Sequence, residues 1–166
     1  TVDLAIGSLN TDLDAQVSIA DASHTATITD DELGVINFAG DAANAESADP
    51  TQNATLTITG IGTGTVGLDQ LLTVAATDAG SGSATNLTDY ASYGSQTLTF
   101  ATGDGASIAS TNATLDVTSD QRLEGDETVD LAIGSLNTDL DAQVSIADAS
   151  HTATITDDEL GVINFA

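Results

Sequence analysis

Apolar side chains alternate with hydroxyl-bearing ones in short runs that Gly, Asp, Asn and Ser separate. In ATLTIT, residues 54–59, the period is two, which is typical of a β-strand with one buried face. Many short strands with regular turn signals indicate an all-β fold, an antiparallel sandwich. The pattern predicts strands at 34–39, 54–60, 71–77, 97–101, 113–119, 128–133, 143–147 and 152–156.

Residues 1–39 reappear letter for letter as residues 128–166, at an offset of 127 residues. Further strands are therefore expected at 1–6, 16–20 and 25–29. An exact repeat at a fixed period indicates a tandem array, and this period has the size of a whole domain. Neighbouring repeats of the same protein are the expected partners.

The tripeptide Asp-Asp-Glu occurs at residues 30–32 and again at 157–159, each time before the same apolar segment. We place the domain boundary just after it. Residues 1–33 are then the C-terminal strands of a preceding repeat, 34–161 one complete domain, and 162–166 the first strand of the next. Because residues 1–39 can replace 128–166 of another molecule, self-association by strand exchange is a further possibility.

The charge is strongly negative: 26 acidic residues and one basic residue, Arg122, give a net charge of −25. Nothing here can neutralise phosphates, so a nucleic-acid partner is excluded, and an anionic membrane surface is disfavoured. No apolar stretch is long enough for a membrane span, so membrane insertion is not expected. Dense Asp without Cys or Lys suits an extracellular, calcium-containing setting, and acidic solubility is the alternative.

The acidic residues cluster in predicted loops. One cluster is SDQRLEGDET at residues 119–128, another is the tripeptide at 157–159, and Asp89 and Glu46 lie in two further loops. Calcium takes six to eight oxygen ligands, which several loops at one end of a sandwich can supply, whereas magnesium demands tighter octahedral geometry. Each cluster alone could be a solvated turn, and none is an EF-hand loop.

Three segments, in this order along the chain, resemble the Calx-beta family: GSATNLTDY with GSQTLTFATG, then ATLDVTSDQRLEGDETVDLAI, then TATITDDE. The resemblance implies an immunoglobulin-like sandwich of about seven strands that binds Ca²⁺ at one end. It places the calcium ligands of the complete domain on Glu46, Asp89, Asp120, Glu124, Asp157, Asp158 and Glu159. It makes Asp30, Asp31 and Glu32 the partial site of the preceding repeat.

The chain departs from the family pattern in its acidic segments. Glu159 stands where the family usually has Asp, and Ser119 and Gln121 flank Asp120 where many members carry Asp. Fewer carboxylates imply weaker binding or fewer ions in each domain.

Four other residues carry weaker expectations. Asp126 and Glu127 begin a predicted strand and are expected mainly on the surface. Arg122 either pairs with a neighbouring carboxylate or is solvated. His24 and His151 are one repeated position, for which a surface location is expected.

These features favour a calcium-stabilised structural repeat of an extracellular tandem-array protein, such as the stalk of a bacterial surface adhesin or a cell-surface filament. Calcium would stiffen the domains and their junctions. The alternatives are a calcium-sensing regulatory domain and a strand-exchanged fibre subunit. An enzyme is not expected: paired carboxylates could serve a glycosidase, but the chain has no Trp, few aromatic residues and no prominent Ser/His/Asp or Cys/His arrangement.

Overall fold

The computed structural model describes residues 1–7, 17–47, 51–62, 66–104, 110–137, 140 and 142–165. The chain divides into two compact units, Thr1–Asp31 and Glu32–Ala166, called here the first and second units. Strands are the regular structure of the described residues, which contain no helix that could span a bilayer.

The first unit contains an antiparallel pair, β1 (Val2–Ala5) and β2 (Ser23–Ala26). The side chain of Thr25 donates a 2.7 Å hydrogen bond to Asp3 across the pair. The prediction of a strand at 16–20 is wrong for residues 17–20, and residue 16 lies outside the described residues. In the second unit the same sequence is a strand paired with an opening strand that residues 1–31 do not include.

The second unit is a sandwich of two sheets, with strand orders β10-β5-β3-β12 and β4-β13-β11-β7-β8, and a short pair β6-β9. The described pairings are antiparallel except for β3 with β12 and β4 with β13, which are parallel. The strands are β3 (Leu33–Phe38), β4 (Ala42–Ala45), β5 (Thr51–Ile61), β6 (Gly67–Leu68), β7 (Leu72–Asp78), β8 (Gln96–Phe100), β9 (Gly103–Asp104), β10 (Thr111–Asp116), β11 (Glu127–Leu136), β12 (Val144–Asp148) and β13 (Ser150–Thr156).

Alternate residues of the strands point into one mostly aliphatic core between the two sheets. In β7 the inward positions are Leu72, Val74 and Ala76, each at most 1% exposed, and Ile36 and Phe100 are fully buried. The predicted all-β, immunoglobulin-like sandwich is thus confirmed. The period-two alternation was sufficient to predict this fold class because each long strand buries one face.

The expected strands differ from the structure in further places, and the short strands β6 and β9 were also not predicted. β4 was not predicted: its sequence, AANA, lacks an apolar alternation, since it lies at a sheet edge with its last three side chains exposed. Residues 162–165, the predicted first strand of a next repeat, are not in a strand, and residue 166 lies outside the described residues. The same sequence in β3 forms a strand by pairing with both β5 and β12.

The repeated histidine occupies two environments. His24 is exposed, as expected, but the expectation of a surface location is wrong for His151, which is 3% exposed. His151 lies on β13, an interior strand between β4 and β11, and its ring centroid is 5.4 Å from that of Phe38. Because the two copies have the same local sequence, the difference in burial comes from the strands that surround each histidine.

Candidate metal centre

Three loop segments meet beyond the ends of β4 and β13. The backbone N–H of Glu46, directly after β4, donates a 3.1 Å hydrogen bond to the carbonyl of Thr156, the last residue of β13. Asp157 follows, and its Oδ2 accepts a 3.0 Å bond from the backbone N–H of Glu124. The β10–β11 loop is thereby joined to the residues that follow β13.

A tight turn brings Asp89 to the same region. Its N–H donates to the carbonyl of Thr85, and its Oδ2 accepts a 2.5 Å bond from the N–H of Thr85. The carbonyl of Asp89 accepts a 2.9 Å bond from the N–H of Thr118, after β10. Asp89 is only 6% exposed, so its carboxylate is fixed in a buried position.

Six carboxylates of the second unit form two groups in which one oxygen from each residue lies within 4.8 Å of the others. One group consists of Glu46, Asp158 and Glu159, and the other of Asp89, Glu124 and Glu127. Asp120 and Asp157 interact with members of the groups. We call these eight residues the acidic cluster; they include all seven residues predicted as ligands of the complete domain.

Glu46 is the most deeply buried member of its group, with 5% of its surface exposed. The pKa of Glu46 is raised to about 7, mainly by burial. The hydrogen bond with Glu159 and the charges of Glu159, Asp120 and Asp157 act in the same direction. Its Oε1 atom is buried without a hydrogen-bond partner. An ionised Glu46 is therefore costly unless a proton or a cation compensates it.

Glu127 belongs to the second group and is half-buried, whereas a mainly surface position was expected for it. Burial is the first cause that raises the pKa of Glu127 to about 7, followed by its hydrogen bond with Asp89 and the charges of Asp89, Glu124 and Asp120. Strand periodicity could have found Glu127, because it shares a face of β11 with the buried Val129. Its neighbour Asp126 is exposed, as expected.

The two groups form one electrostatic unit, because the charge of Asp120 raises the pKa of both Glu46 and Glu127. The backbone N–H of Glu159 donates to Asp157, and this bond is the main reason that the pKa of Asp157 is lowered. The pKa of Glu159 is raised, chiefly by its side-chain hydrogen bond with Asp157.

Arg122 is both paired with carboxylates and exposed to solvent, so both possibilities that the sequence left open apply. Its Nε lies 3.8 Å from Oδ2 of Asp120, its Nη1 lies 3.7 Å from Oε1 of Glu124, and its side chain is 66% exposed. Ion pairs this long and this exposed are worth little. The acidic cluster thus keeps most of its repulsion.

Asp30, Asp31 and Glu32 also bring one oxygen each within 4.8 Å of one another. These three residues are consecutive in the chain. The first two are exposed and Glu32 is half-buried.

The donor set indicates a hard divalent cation. All donors of the two groups are carboxylate oxygens, which suit calcium, whereas zinc and softer metals favour His and Cys. The buried Oε1 of Glu46 and Oε2 of Glu159 lack hydrogen-bond partners, as expected of oxygens arranged to bind an ion. Each group offers three carboxylates, and bidentate binding by all three would supply six oxygens, the lower end of the range that calcium takes. These residues therefore fit a calcium ion.

Comparison with known proteins relates the chain to solved structures by fold. No family profile matches the sequence, and no curated protein matches it. The crystal structure of CBD12 from CALX1.2 is similar with a TM-score of 0.59 at 17% identity over 75% of this chain. The apo-form Calx CBD1 domain gives 0.56 at 15% identity, over 76% of this chain and 99% of that one.

The calcium binding domain CBD12 of CALX1.1 is also similar, with a TM-score of 0.52 at 16% identity over 75% of this chain. The chain spans 44% of the length of each of the two CBD12 structures. The likeness therefore shows that the second unit has a Calx-beta-like fold.

Proposed function

We propose that the second unit is a calcium-stabilised structural repeat of an extracellular tandem-array protein, the stalk of a bacterial surface adhesin or a cell-surface filament. One observation carries this proposal: eight carboxylates converge from separate loops, while the only side-chain cation beside them is the exposed Arg122. A bound calcium ion would offset this repulsion. The carboxylates that would hold it lie at the end of β4, in the turn at Asp89, in the β10–β11 loop, at the start of β11 and after β13.

Each of two groups of residues could hold a metal ion. Glu46, Asp158 and Glu159 supply one set of oxygens, and Asp89, Glu124 and Glu127 supply the other. The ion contributes positive charge where two of these carboxyls otherwise have a pKa of about 7. Because these oxygens are assembled only in the folded chain, calcium stabilises the folded state by mass action.

The position of the acidic cluster suits a junction between repeats. Asp158 and Glu159 directly precede residues 160–165, the second copy of the opening strand β3. A metal that holds these two carboxylates restrains the direction in which a following repeat leaves the domain. Stiffening at each repeat would keep a tandem array extended.

Several observations support this setting. The exact copy of residues 1–39 at 128–166 supports a tandem array, and a net charge of −25 without Cys or Lys supports an extracellular one. A solved structure of similar fold is a calcium binding domain. We assign no catalytic role, because calcium ligation uses the carboxylates that a glycosidase would need free.

Thermal unfolding with calcium and with a chelator tests the proposal. The melting temperature should rise with calcium, and calorimetric titration should give a dissociation constant on the order of 10⁻⁴–10⁻³ M, as in extracellular modules. Magnesium should stabilise less. As a matched control, Asp69→Asn removes an exposed acid outside the acidic cluster and should leave the calcium effect unchanged.

Two results would change the assignment. An equal melting temperature in calcium and in chelator would overturn calcium binding. A micromolar midpoint would instead favour the alternative function, a calcium-sensing regulatory domain, which the likeness to a calcium binding domain supports.

A further inference from the structure

The opening and closing segments of the second unit run side by side in the same direction. β3 pairs in parallel with β12, and β4 pairs in parallel with β13. The other described strand pairings of the second unit are antiparallel. The two parallel pairings follow one another along the chain, so residues 34–45 lie beside residues 144–156. We call this double pairing the parallel seam.

Hydrogen bonds join the two sides of the parallel seam along its length. At its start, the backbone N–H of Gly34 donates a 2.7 Å bond to the carbonyl of Gln143. Where the chain crosses from β3 to β4, the backbone N–H of Thr152 donates a 2.8 Å bond to Oδ1 of Asp41. The side chain of Asp41 thus keeps the seam paired where the chain changes sheets. The bond beyond the ends of β4 and β13, described above, closes the seam.

Tension along a tandem array would pull the two sides of the parallel seam in opposite directions. By the exact repeat, residue 160 is equivalent to residue 33, so a repeat is joined to its neighbours at the start of β3 and shortly after β13. In a parallel pair these two attachment points lie at opposite ends. A pull therefore slides the strands along each other and strains their hydrogen bonds together. A pull on one end of an antiparallel pair instead opens the bonds one after another.

One of the two carboxylate groups lies across the end of the parallel seam. Glu46 directly follows β4, whereas Asp158 and Glu159 follow β13, so the group has members from both sides of the seam. A cation held by these three residues would tie the opening segment to the closing one where tension leaves through residue 160. We call this arrangement the metal bridge.

We propose that the parallel seam is the force-bearing element of the second unit and that a divalent cation held by Glu46, Asp158 and Glu159 strengthens it. The seam needs no metal to bear force, whereas the metal bridge rests on the proposed function, in which calcium binds this group. The domain then resists tension along an array better than tension applied at one end of the sandwich. Resistance to lengthwise force is what a stalk under tension requires.

Single-molecule pulling between two chosen residues tests the seam, because the chain has no native Cys and handles can be attached to introduced ones. Handles on Leu33→Cys and Leu160→Cys, both at exposed positions, pull the seam lengthwise. Handles on Leu123→Cys and Leu160→Cys instead open β11 and β13 from one end. These two strands are antiparallel, with Glu127 opposite Ile155.

The direction of pulling should determine the unfolding force in chelator. The lengthwise pull should need at least about twofold more force at the same pulling speed, because forced unfolding follows the rate at which the chosen contacts open. An extension on the order of 400 Å identifies complete unfolding between residues 33 and 160. Equal forces in the two directions would overturn the proposal, even where calcium raises the melting temperature.

Proline substitutions in β4 provide a matched pair of variants. The N–H of Glu46 faces β13, so by strand alternation the N–H of Asn44 also faces β13 and that of Ala43 faces away. β4 lies at the sheet edge, where proline is tolerated if its nitrogen faces solvent. Asn44→Pro should therefore lower the lengthwise unfolding force, whereas Ala43→Pro should leave it nearly unchanged. Equal losses in the two variants would contradict the role of the seam.

Calcium tests the metal bridge. The lengthwise force should rise at least about 1.5-fold in saturating calcium, because an ion bound only to the folded chain must be released before the seam opens. Glu46→Gln should remove this rise, and Asp69→Asn, an exposed acid outside the acidic cluster, should retain it. A higher melting temperature in calcium without a higher lengthwise force would overturn the metal bridge and leave the proposed function intact. A direction-dependent force without any calcium effect would support the seam while refuting the metal bridge and the proposed function.

Discussion

The hydroxyl of Tyr90 donates a 2.6 Å hydrogen bond to Oδ2 of Asp78 at the end of β7. Tyr90 is 3% exposed and directly follows Asp89, so this bond anchors the turn that brings Asp89 into the acidic cluster. Burial, followed by the hydrogen bond to Asp78, raises the pKa of Tyr90 to about 12. Tyr90 therefore remains a hydrogen-bond donor at neutral pH.

Replacing Tyr90 by Phe should lower both stability and calcium affinity. The change removes a bond to a charged acceptor, which contributes about 1.5–3 kcal/mol, and releases the turn before Asp89. The matched control is Tyr93→Phe, because the Tyr93 hydroxyl is buried without a hydrogen-bond partner and its removal should be neutral or stabilising. Urea unfolding and calcium titration measure both effects; equal losses in the two variants would contradict the anchoring role.

Glu127 and Asp126 provide an adjacent pair for testing which acids bind the metal. Glu127→Gln removes a member of the group with Asp89 and Glu124 and should weaken calcium binding about tenfold or more. Asp126→Asn changes an exposed neighbour and should leave the affinity within about twofold, since a surface charge acts only weakly. Isothermal titration calorimetry on both variants is decisive, and a larger loss from Asp126→Asn would exclude Glu127 as a ligand.

The repeat shows why the sequence alone predicts the fold better than the site. Alternation predicted most strands of the sandwich because burial of one face imposes it. Yet residues 17–20 and 144–147 share one sequence, and only the second copy is a strand, since only it pairs with an opening strand. The acidic cluster likewise depends on pairing between strands that are far apart in the sequence. Glu46 lies near Asp158 and Glu159 because the ends of β4 and β13 meet. A local sequence pattern does not show which strand ends meet.

Gly82 should be intolerant of any side chain. A Cβ atom there would overlap the carbonyl oxygen of Thr128, directly after Glu127 on β11. The N–H of Ser83 donates to the side chain of Thr128, so this close approach is part of the pairing that begins β11. Gly82→Ala should cost about 1–3 kcal/mol through overpacking, measured by urea unfolding. Gly94→Ala is the control, since a Cβ there meets no atom within 4 Å, and an equal cost would contradict the steric argument.

The stability of the metal-free chain should fall as the pH rises from about 4.5 to 7. The folded chain raises the pKa values of Glu46 and Glu127 from 4.5 to about 7, so in this window it binds more protons than the unfolded chain does. Asp157 does not reverse the trend, because its pKa is lowered from 3.8 and its contribution changes only in more acidic solution. In chelator, the melting temperature should therefore be lower at pH 8 than at pH 5.5.

Saturating calcium should reverse this order of melting temperatures, because protons compete with the ion for the same oxygens. Scanning calorimetry at both pH values tests this, and Glu46→Gln with Glu127→Gln should flatten the metal-free dependence; an undiminished slope in that double variant would assign the protons to other groups.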